Sequence, residues 1–217
     1  SKIKPVFNFK IINKKQQWNP KGKLVIVLMA LPRYSYSIYS VPISVQFANY
    51  LNDLSCFINE LSLTIQKEVL VRLHPKDFGW SIKERILSQY PNINFDSESS
   101  KILTTMSQSR IFVSTYNATT FLESLSLNVP TIMFWNPNHW ELREDAKPYF
   151  NKLVSIGILH YNPESAAQKV IEVWDDVEAW WGQEELQKVR RVFCNQYSRV
   201  EERPIKILSE TLKNLKI

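Results

Sequence analysis

Short, continuous apolar runs alternate along the chain with longer stretches in which apolar residues recur at helical spacing. The first run, residues 23–30, is rich in β-branched residues and lies between Gly22 and Pro32. Such a run is typical of a strand that is buried on both faces of a parallel sheet. In residues 45–61 an apolar residue follows at every third or fourth position, which predicts a helix. The chain therefore begins with a strand followed by a helix.

The same alternation continues through the middle of the chain. We predict further strands at 68–73, 93–95, 110–114 and 131–135, with helices at 80–89, 99–107 and 118–127. From residue 141 onward the pattern is mostly helical, at roughly 141–152, 163–180, 183–197 and 203–215. Alternating strands and helices indicate a parallel sheet with helices on both faces. The predicted fold class is α/β: a Rossmann-like, doubly wound parallel sheet with a helical C-terminal extension.

Glycine is scarce, and this excludes the familiar phosphate-binding loops. The 217 residues include four glycines, whereas average usage would give about fifteen. The four are Gly22, Gly79, Gly157 and Gly182, which are too far apart for a dinucleotide or P-loop fingerprint. A phosphate site in this chain must therefore be built from other residues.

The formal net charge of +6 is concentrated near the start of the chain. Residues 1–52 hold eight basic and no acidic residues, and the rest of the chain holds 19 basic and 21 acidic residues. We predict a basic lead-in over 1–23 and one domain over 24–217. A solvated linker is the simplest interpretation of the lead-in, and contact with nucleic acid, anionic lipid or another domain is the alternative. Since no RNA- or DNA-binding motif accompanies it, we expect no nucleic-acid partner.

The cysteines and the hydropathy indicate a cytoplasmic protein without a membrane span. Cys56 and Cys194 have neither metal-ligand spacing nor the density of a disulfide framework, and no His pair has metal-ligand spacing. We therefore expect no metal and no resident cofactor. No apolar run reaches the length of a transmembrane helix. Peripheral binding at the inner membrane face is left open, and the lysine-rich start without Met suggests a segment of a longer protein.

A hydroxyl-rich segment follows the strand predicted at 110–114. In an open parallel sheet, ligands bind beyond the carboxyl ends of the strands. At the start of the next helix, hydroxyls, backbone N–H groups and the positive end of the helix dipole would meet, which is a phosphate site without glycine. The alternative is that these residues only cap the helix. The candidate nucleotide-binding residues here are Ser114, Thr115, Asn117, Thr119 and Thr120.

Two more strand-end features add candidates. Glu123 lies one helical turn beyond Thr119 and Thr120, where a carboxylate can accept hydrogen bonds from ribose hydroxyls; a solvated helix-face charge is the alternative. His74, Pro75 and Lys76 follow the strand at 68–73. A histidine beside a cation can donate a hydrogen bond or a proton to a phosphate leaving group, although a lone histidine at a strand end is often structural.

Taken together, residues 71–76 and residues 114–132 resemble the C-terminal half of glycosyltransferases with two Rossmann-like domains, the GT-B architecture. The His-Pro pair with the Ser-Thr pair is similar to motifs of bacterial sialyltransferases and Kdo transferases, which use CMP-activated sugars. Bacterial surface-carbohydrate transferases have a similar tail, including residues 135–143. The resemblance covers about residues 24–200.

The resemblance implies roles for the candidate residues. His74 would contact the nucleotide phosphate and assist departure of the leaving group, with Pro75 and Lys76 beside it. Residues 114–120 would hold the phosphate, and Glu123 would bind the ribose. The chain departs from the pattern at Asn128, where these families usually have glycine, but asparagine also tolerates a left-handed helix end.

The second departure is larger, because a GT-B enzyme needs two Rossmann-like domains and this chain has room for one. The resemblance therefore implies an acceptor-binding domain upstream and a carbohydrate acceptor. The expected function is that of the donor-binding domain of a glycosyltransferase in bacterial surface polysaccharide synthesis, with a CMP-sugar as donor. The alternatives are a CDP-glycerol-type glycerophosphotransferase domain, another nucleotide-sugar enzyme, a non-catalytic nucleotide-binding or interaction domain, and a nucleic-acid module.

Overall fold

The computed structural model describes residues 18–33, 44–97, 99–200 and 203–214. Within these residues the chain forms six strands and ten helices. The strands are β1 Lys23–Val27, β2 Val69–Arg72, β3 Asn94–Phe95, β4 Ser109–Ser114, β5 Thr131–Phe134 and β6 Leu159–His160. The helices are α1 Ser44–Glu60, α2 Leu63–Gln66, α3 Ile82–Gln89, α4 Ile102–Gln108, α5 Thr119–Ser126, α6 Lys147–Ser155, α7 Pro163–Val173, α8 Val177–Trp181, α9 Glu184–Tyr197 and α10 Pro204–Asn214.

All six strands are parallel and lie in the order β3-β2-β1-β4-β5-β6. The alternate residues of β1 show that both faces of the sheet are covered. Leu24 and Ile26 belong to the apolar cluster that includes Phe57 of α1, whereas Val25 and Val27 pack in a second cluster that includes Met106 of α4. The predicted fold class, an α/β Rossmann-like sheet with helices on both faces, is confirmed.

The main differences from the predicted elements have local causes. The two-residue strand β6 was not predicted, because it is defined only by its pairing with β5. The helix expected at 163–180 is interrupted, since the Asp176 carboxylate accepts a hydrogen bond from Ala179 N (3.0 Å) and starts α8 as a separate helix. The helix expected at 141–152 begins only at Lys147, where Pro148 suits the first turn.

Residues 18–22 pack against the junction between α4 and β4. The Trp18 indole donates to Arg110 O (3.0 Å) and Asn19 N donates to Ser107 O (3.1 Å). A Cβ at Gly22 would lie 2.0 Å from Gln108 O, so this close approach requires glycine. Residues 1–17 of the predicted basic lead-in (residues 1–23) lie outside the described residues, and the domain boundary stays a prediction.

No helix within the described ranges is both long and apolar enough to span a bilayer.

The edge strand β6 carries a half-buried histidine that should make stability depend on pH. His160 Nε2 donates to Gly157 O (3.2 Å). In the neutral ring Nδ1 is then the acceptor, and it lies 3.0 Å from the Ser165 hydroxyl. Burial, and then the charge of Lys169, lowers the pKa of His160 below its ordinary value of 6.5. The unfolded chain therefore takes up this proton first, and stability should fall as the pH drops below 6.5. Urea unfolding of the wild type and of His160→Asn between pH 7.5 and 5.5 checks this, and equal pH slopes would contradict it.

Candidate functional site

The sheet order places a crevice at the carboxyl ends of β1 and β4. The chain passes from β1 to β2 and β3 on one side of β1 and then to β4 on the other side, so the direction of the strand order reverses at β1. Val27 of β1 pairs with both Arg72 of β2 and Ser114 of β4, so the three strands end level. His74 and Thr115 therefore follow the two strands that flank β1, and these strands are about 10 Å apart because neighbouring strands are about 4.8 Å apart. The structure thus brings the two predicted groups of residues to one edge.

The hydroxyls of Ser114 and Thr115 are buried and engaged within the protein. Ser114 Oγ donates to Tyr116 O (3.2 Å), and Thr115 Oγ1 donates to Val27 O (2.8 Å). The Tyr50 hydroxyl of α1 lies 2.7 Å from Thr115 Oγ1 and accepts from Met29 N (2.9 Å). Burial raises the pKa of Tyr50 well above its usual range, so this hydroxyl stays neutral. These two serine and threonine side chains hold the strand ends together, and any contact with a ligand here would come from the backbone.

The start of α5 supplies backbone donors in this segment. Its N-cap is Ala118, which has no hydrogen-bonding side chain, and within the described residues no side chain caps the helix. The first N–H groups of a helix have no partners inside the helix, so they are donors for an external acceptor. Asn117 and Thr120 are half-buried here and Thr119 is exposed. The structure therefore does not support the alternative that these residues only cap α5.

Tyr116 connects this helix start to the neighbouring strands. Burial is the main cause that raises the pKa of its phenol, and the nearby Glu123 carboxylate raises it further. The Thr120 hydroxyl and the Arg72 guanidinium are also close enough to act on it, in the opposite direction. The Glu123 carboxylate therefore lies close enough to the Tyr116 phenol for its charge to act on it. Sequence reasoning did not assign a role to Tyr116, because an aromatic residue at a strand end is usually part of the core.

His74 is exposed on the loop after β2 and is held in one orientation. Its Nδ1 atom lies 3.1 Å from Lys76 N and 3.2 Å from Lys76 O. In the neutral ring Nδ1 accepts from the N–H group, which leaves the proton on Nε2. The loop therefore orients the ring through Nδ1 and leaves Nε2–H as a donor. Pro75 and Lys76 are also exposed beside this ring.

A strained turn follows this loop. Phe78, Gly79 and Ser81 all have positive φ angles, of 56°, 88° and 50°. The Asp77 carboxylate accepts from Ser81 N (2.7 Å), and the Trp80 indole donates to Leu31 O beyond β1 (2.8 Å). These bonds fix the turn against the end of β1. Sequence reasoning missed this feature, for which the only local signal was the Gly79 residue.

Beneath His74, a buried ion pair joins the ends of β2 and β3. Arg72 and Asp96 are paired, with 17% and 11% of their side chains exposed. Burial would raise the pKa of Asp96, but hydrogen bonds from Ser100 and Thr105 (both 2.8 Å) together with the Arg72 guanidinium lower it below its usual value. The pair borders a cavity of 240 Å³ that Pro75 also lines. The ion pair therefore holds the ends of β2 and β3 together where the His74 loop begins.

The rest of the described chain offers no evident metal site. In residues 18–33, 44–97, 99–200 and 203–214, no group of three or more His, Cys, Asp or Glu side chains is arranged to hold a metal ion. The edge described above instead presents an imidazole, a lysine and a helix start, which are groups that bind anions.

Comparison with known proteins gives a family. No curated protein matches the sequence. The model of a transferase family, described as LIC12162 family transferase, matches residues 2–212. Because this match covers nearly the whole chain, the protein belongs to the LIC12162 family of transferases.

Proposed function

We propose that this chain is the donor-binding domain of a glycosyltransferase that uses a nucleotide-activated sugar, with a CMP-sugar as the donor. Membership of a transferase family supports group transfer in general. The observation that carries the proposal is the convergence of His74 and the uncapped start of α5 on either side of β1. This is the crevice in which doubly wound sheets bind nucleotides.

In this proposal the donor phosphate lies between the two sides of the crevice. The N–H groups at the start of α5 and the positive end of the helix dipole hold its charge on one side. The Nε2–H of His74 and the ammonium group of Lys76 face it from the other side. The carboxylate of Glu123 accepts hydrogen bonds from the ribose.

The reaction breaks the bond between the anomeric carbon and the phosphate oxygen. The electron pair stays on that oxygen, so negative charge grows on the leaving CMP in the transition state. Positioned donors that bind the growing charge more strongly than the ground state lower the barrier. The acceptor hydroxyl forms the new bond to the anomeric carbon, and its proton passes to a base outside this site. We assign the acceptor, a carbohydrate of a bacterial surface polysaccharide, to an upstream acceptor-binding domain.

A panel of nucleotides tests the donor. Isothermal titration calorimetry with CMP, UDP and GDP should give at least tenfold tighter binding for CMP, because a site built to hydrogen-bond one base leaves polar groups unpaired with another. Glu123→Ala, which removes the acceptor, should abolish the preference for CMP over its 2′-deoxy form, and Glu178→Ala on α8 is the matched control.

Three results would contradict this proposal. Tighter binding of UDP than of CMP would exclude the cytidine donor. Absence of binding to every nucleotide would exclude a donor domain and favour a non-catalytic interaction domain. Binding of CDP-glycerol with an affinity above that of any CMP-sugar would instead favour the glycerophosphotransferase alternative, which also releases CMP.

A further inference from the structure

Phe78 is unusual among the aromatic residues of the described chain. With 39% of its surface exposed, it is the one exposed Phe, Tyr or Trp residue within the described ranges. Its backbone has a φ of 56°, which bulky side chains rarely adopt. The exposed ring of Phe78 contributes little to the core, and its strained backbone does not stabilise the turn. Contacts with neighbouring residues must therefore hold Phe78 in this conformation.

The contacts around Phe78 supply that support. Its carbonyl accepts from Arg33 N (3.3 Å), and the Arg33 guanidinium donates to Gly79 O (3.3 Å). The next aromatic residue, Trp80, packs on Phe47 of α1 with ring centroids 4.5 Å apart. The turn is therefore tied to the end of β1 and to α1, and Phe78 is presented from a fixed backbone.

Phe78 also forms a pair with His74. Their ring centroids are 5.6 Å apart and their planes are inclined by 34°. Both residues are exposed, so the two rings form a continuous aromatic surface, which we call the ledge. The ledge begins at the imidazole that faces the phosphate in the proposed function and continues to Phe78, whose carbonyl accepts from Arg33 N beyond β1.

The orientation of the donor in the crevice follows from the positions of its nucleoside and its transferred group. Glu123 on α5 binds the ribose in the proposed function, so the nucleoside lies on the α5 side of the phosphate. The transferred group, bonded to the opposite side of the phosphate, then extends past His74 towards Phe78. We propose that the ledge is the subsite for the transferred group and that this group is a sugar ring. This inference rests on the proposed function.

An aromatic ledge suits a sugar ring for a physical reason. The face of an aromatic ring is electronegative and attracts the polarised C–H groups that line the apolar face of a pyranose. A glycerol chain has no such face and is flexible, so it gains little from the ledge. The ledge therefore favours glycosyl transfer over glycerophosphate transfer.

The test compares ligands whose transferred group is a sugar ring with ligands that lack such a group. Wild-type protein, Phe78→Ala and Phe78→Tyr are titrated by calorimetry with CMP, CMP-N-acetylneuraminate and CDP-glycerol. Phe78→Ala should weaken binding of CMP-N-acetylneuraminate about tenfold and leave CMP and CDP-glycerol unchanged, since the stacking contribution of one aromatic pair is of this size. Phe78→Tyr, which keeps the ring, should bind all three ligands as the wild type does.

Leu63→Ala is the matched control, because Leu63 is an exposed apolar residue on α2, before β2 and so at the opposite edge of the sheet. A thermal unfolding curve of Phe78→Ala checks that the variant is folded. If Phe78→Ala weakens the binding of CMP and of CMP-N-acetylneuraminate equally, or weakens neither, the ledge is not the subsite for the sugar ring. This result would leave the nucleotide site in place. Failure of the wild type to bind CMP would overturn the proposed function and the ledge together.

Discussion

Replacement of His74 by alanine is expected to lower the turnover of a CMP-sugar by about a hundredfold, because a positioned imidazole contributes on this scale to proton transfer or charge stabilisation. The affinity for CMP should fall much less. The Nε2–H of His74 acts on charge that develops as the glycosidic bond breaks, whereas the start of α5 holds the phosphate already in the ground state. Turnover is measured as CMP release from the donor by the natural protein with its acceptor.

A second substitution separates the two roles that His74 can have. His74→Gln retains an N–H donor but cannot transfer a proton. Retention of most of the activity in His74→Gln would assign His74 to hydrogen bonding of the leaving phosphate, and loss equal to that of His74→Ala would assign it to proton transfer. Asn92→Ala, at an exposed position before β3, is the control and should be unchanged. Full activity in His74→Ala would remove His74 from the site.

The largest effect on stability is expected at Asp96. Asp96→Ala should lower the free energy of unfolding by about 3 kcal/mol, because it leaves the mostly buried Arg72 guanidinium without an opposite charge, with only the neutral acceptors of Ser100 and Thr105. Urea denaturation at pH 7 measures this loss. The matched control is Asp145→Ala, which breaks an ion pair with Arg143 whose side chains are 71% and 86% exposed and should change stability by less than about 0.5 kcal/mol.

The pH dependence gives an independent check of the same pair. The folded state lowers the pKa of Asp96, so its stabilisation is present above the ordinary carboxyl pKa of about 3.9 and is lost as the pH falls through the folded value. The difference between wild type and Asp96→Ala should therefore shrink under acidic conditions. A loss at pH 7 as small as that of Asp145→Ala would contradict the assignment of Asp96 as a buried, paired carboxylate.

Much of the fold was predictable because buried parallel strands leave a strong local signal. The apolar run at 23–30 and the segment at 110–114 are the central strands β1 and β4, and both were identified. The strand β6 was not, since its two residues are defined only by pairing with β5. The break between α7 and α8 depends on one side-chain cap, which helical periodicity does not reveal.

The candidate site was predictable in part for the same reason. Ligand-facing residues follow strand ends, so His74 and the segment from Ser114 to Thr120 could be named as candidates before their positions were known. Their individual contacts were not predictable. The Thr115 hydroxyl is buried against Val27 O and Tyr50, a pairing across 88 and 65 residues of sequence that no local pattern encodes.

The class of the fold, the absence of a glycine-rich phosphate loop and the two segments with candidate chemistry could be inferred from local sequence, because each depends on residues close together in the chain. The position of β1 between β2 and β4, which brings these segments to one crevice, is a property of the tertiary structure. The tertiary structure also decided which hydroxyls are buried, which helix start is uncapped and that Phe78 stands beside His74. These properties arise from strand order and packing between distant residues, and composition and periodicity carry no information about either.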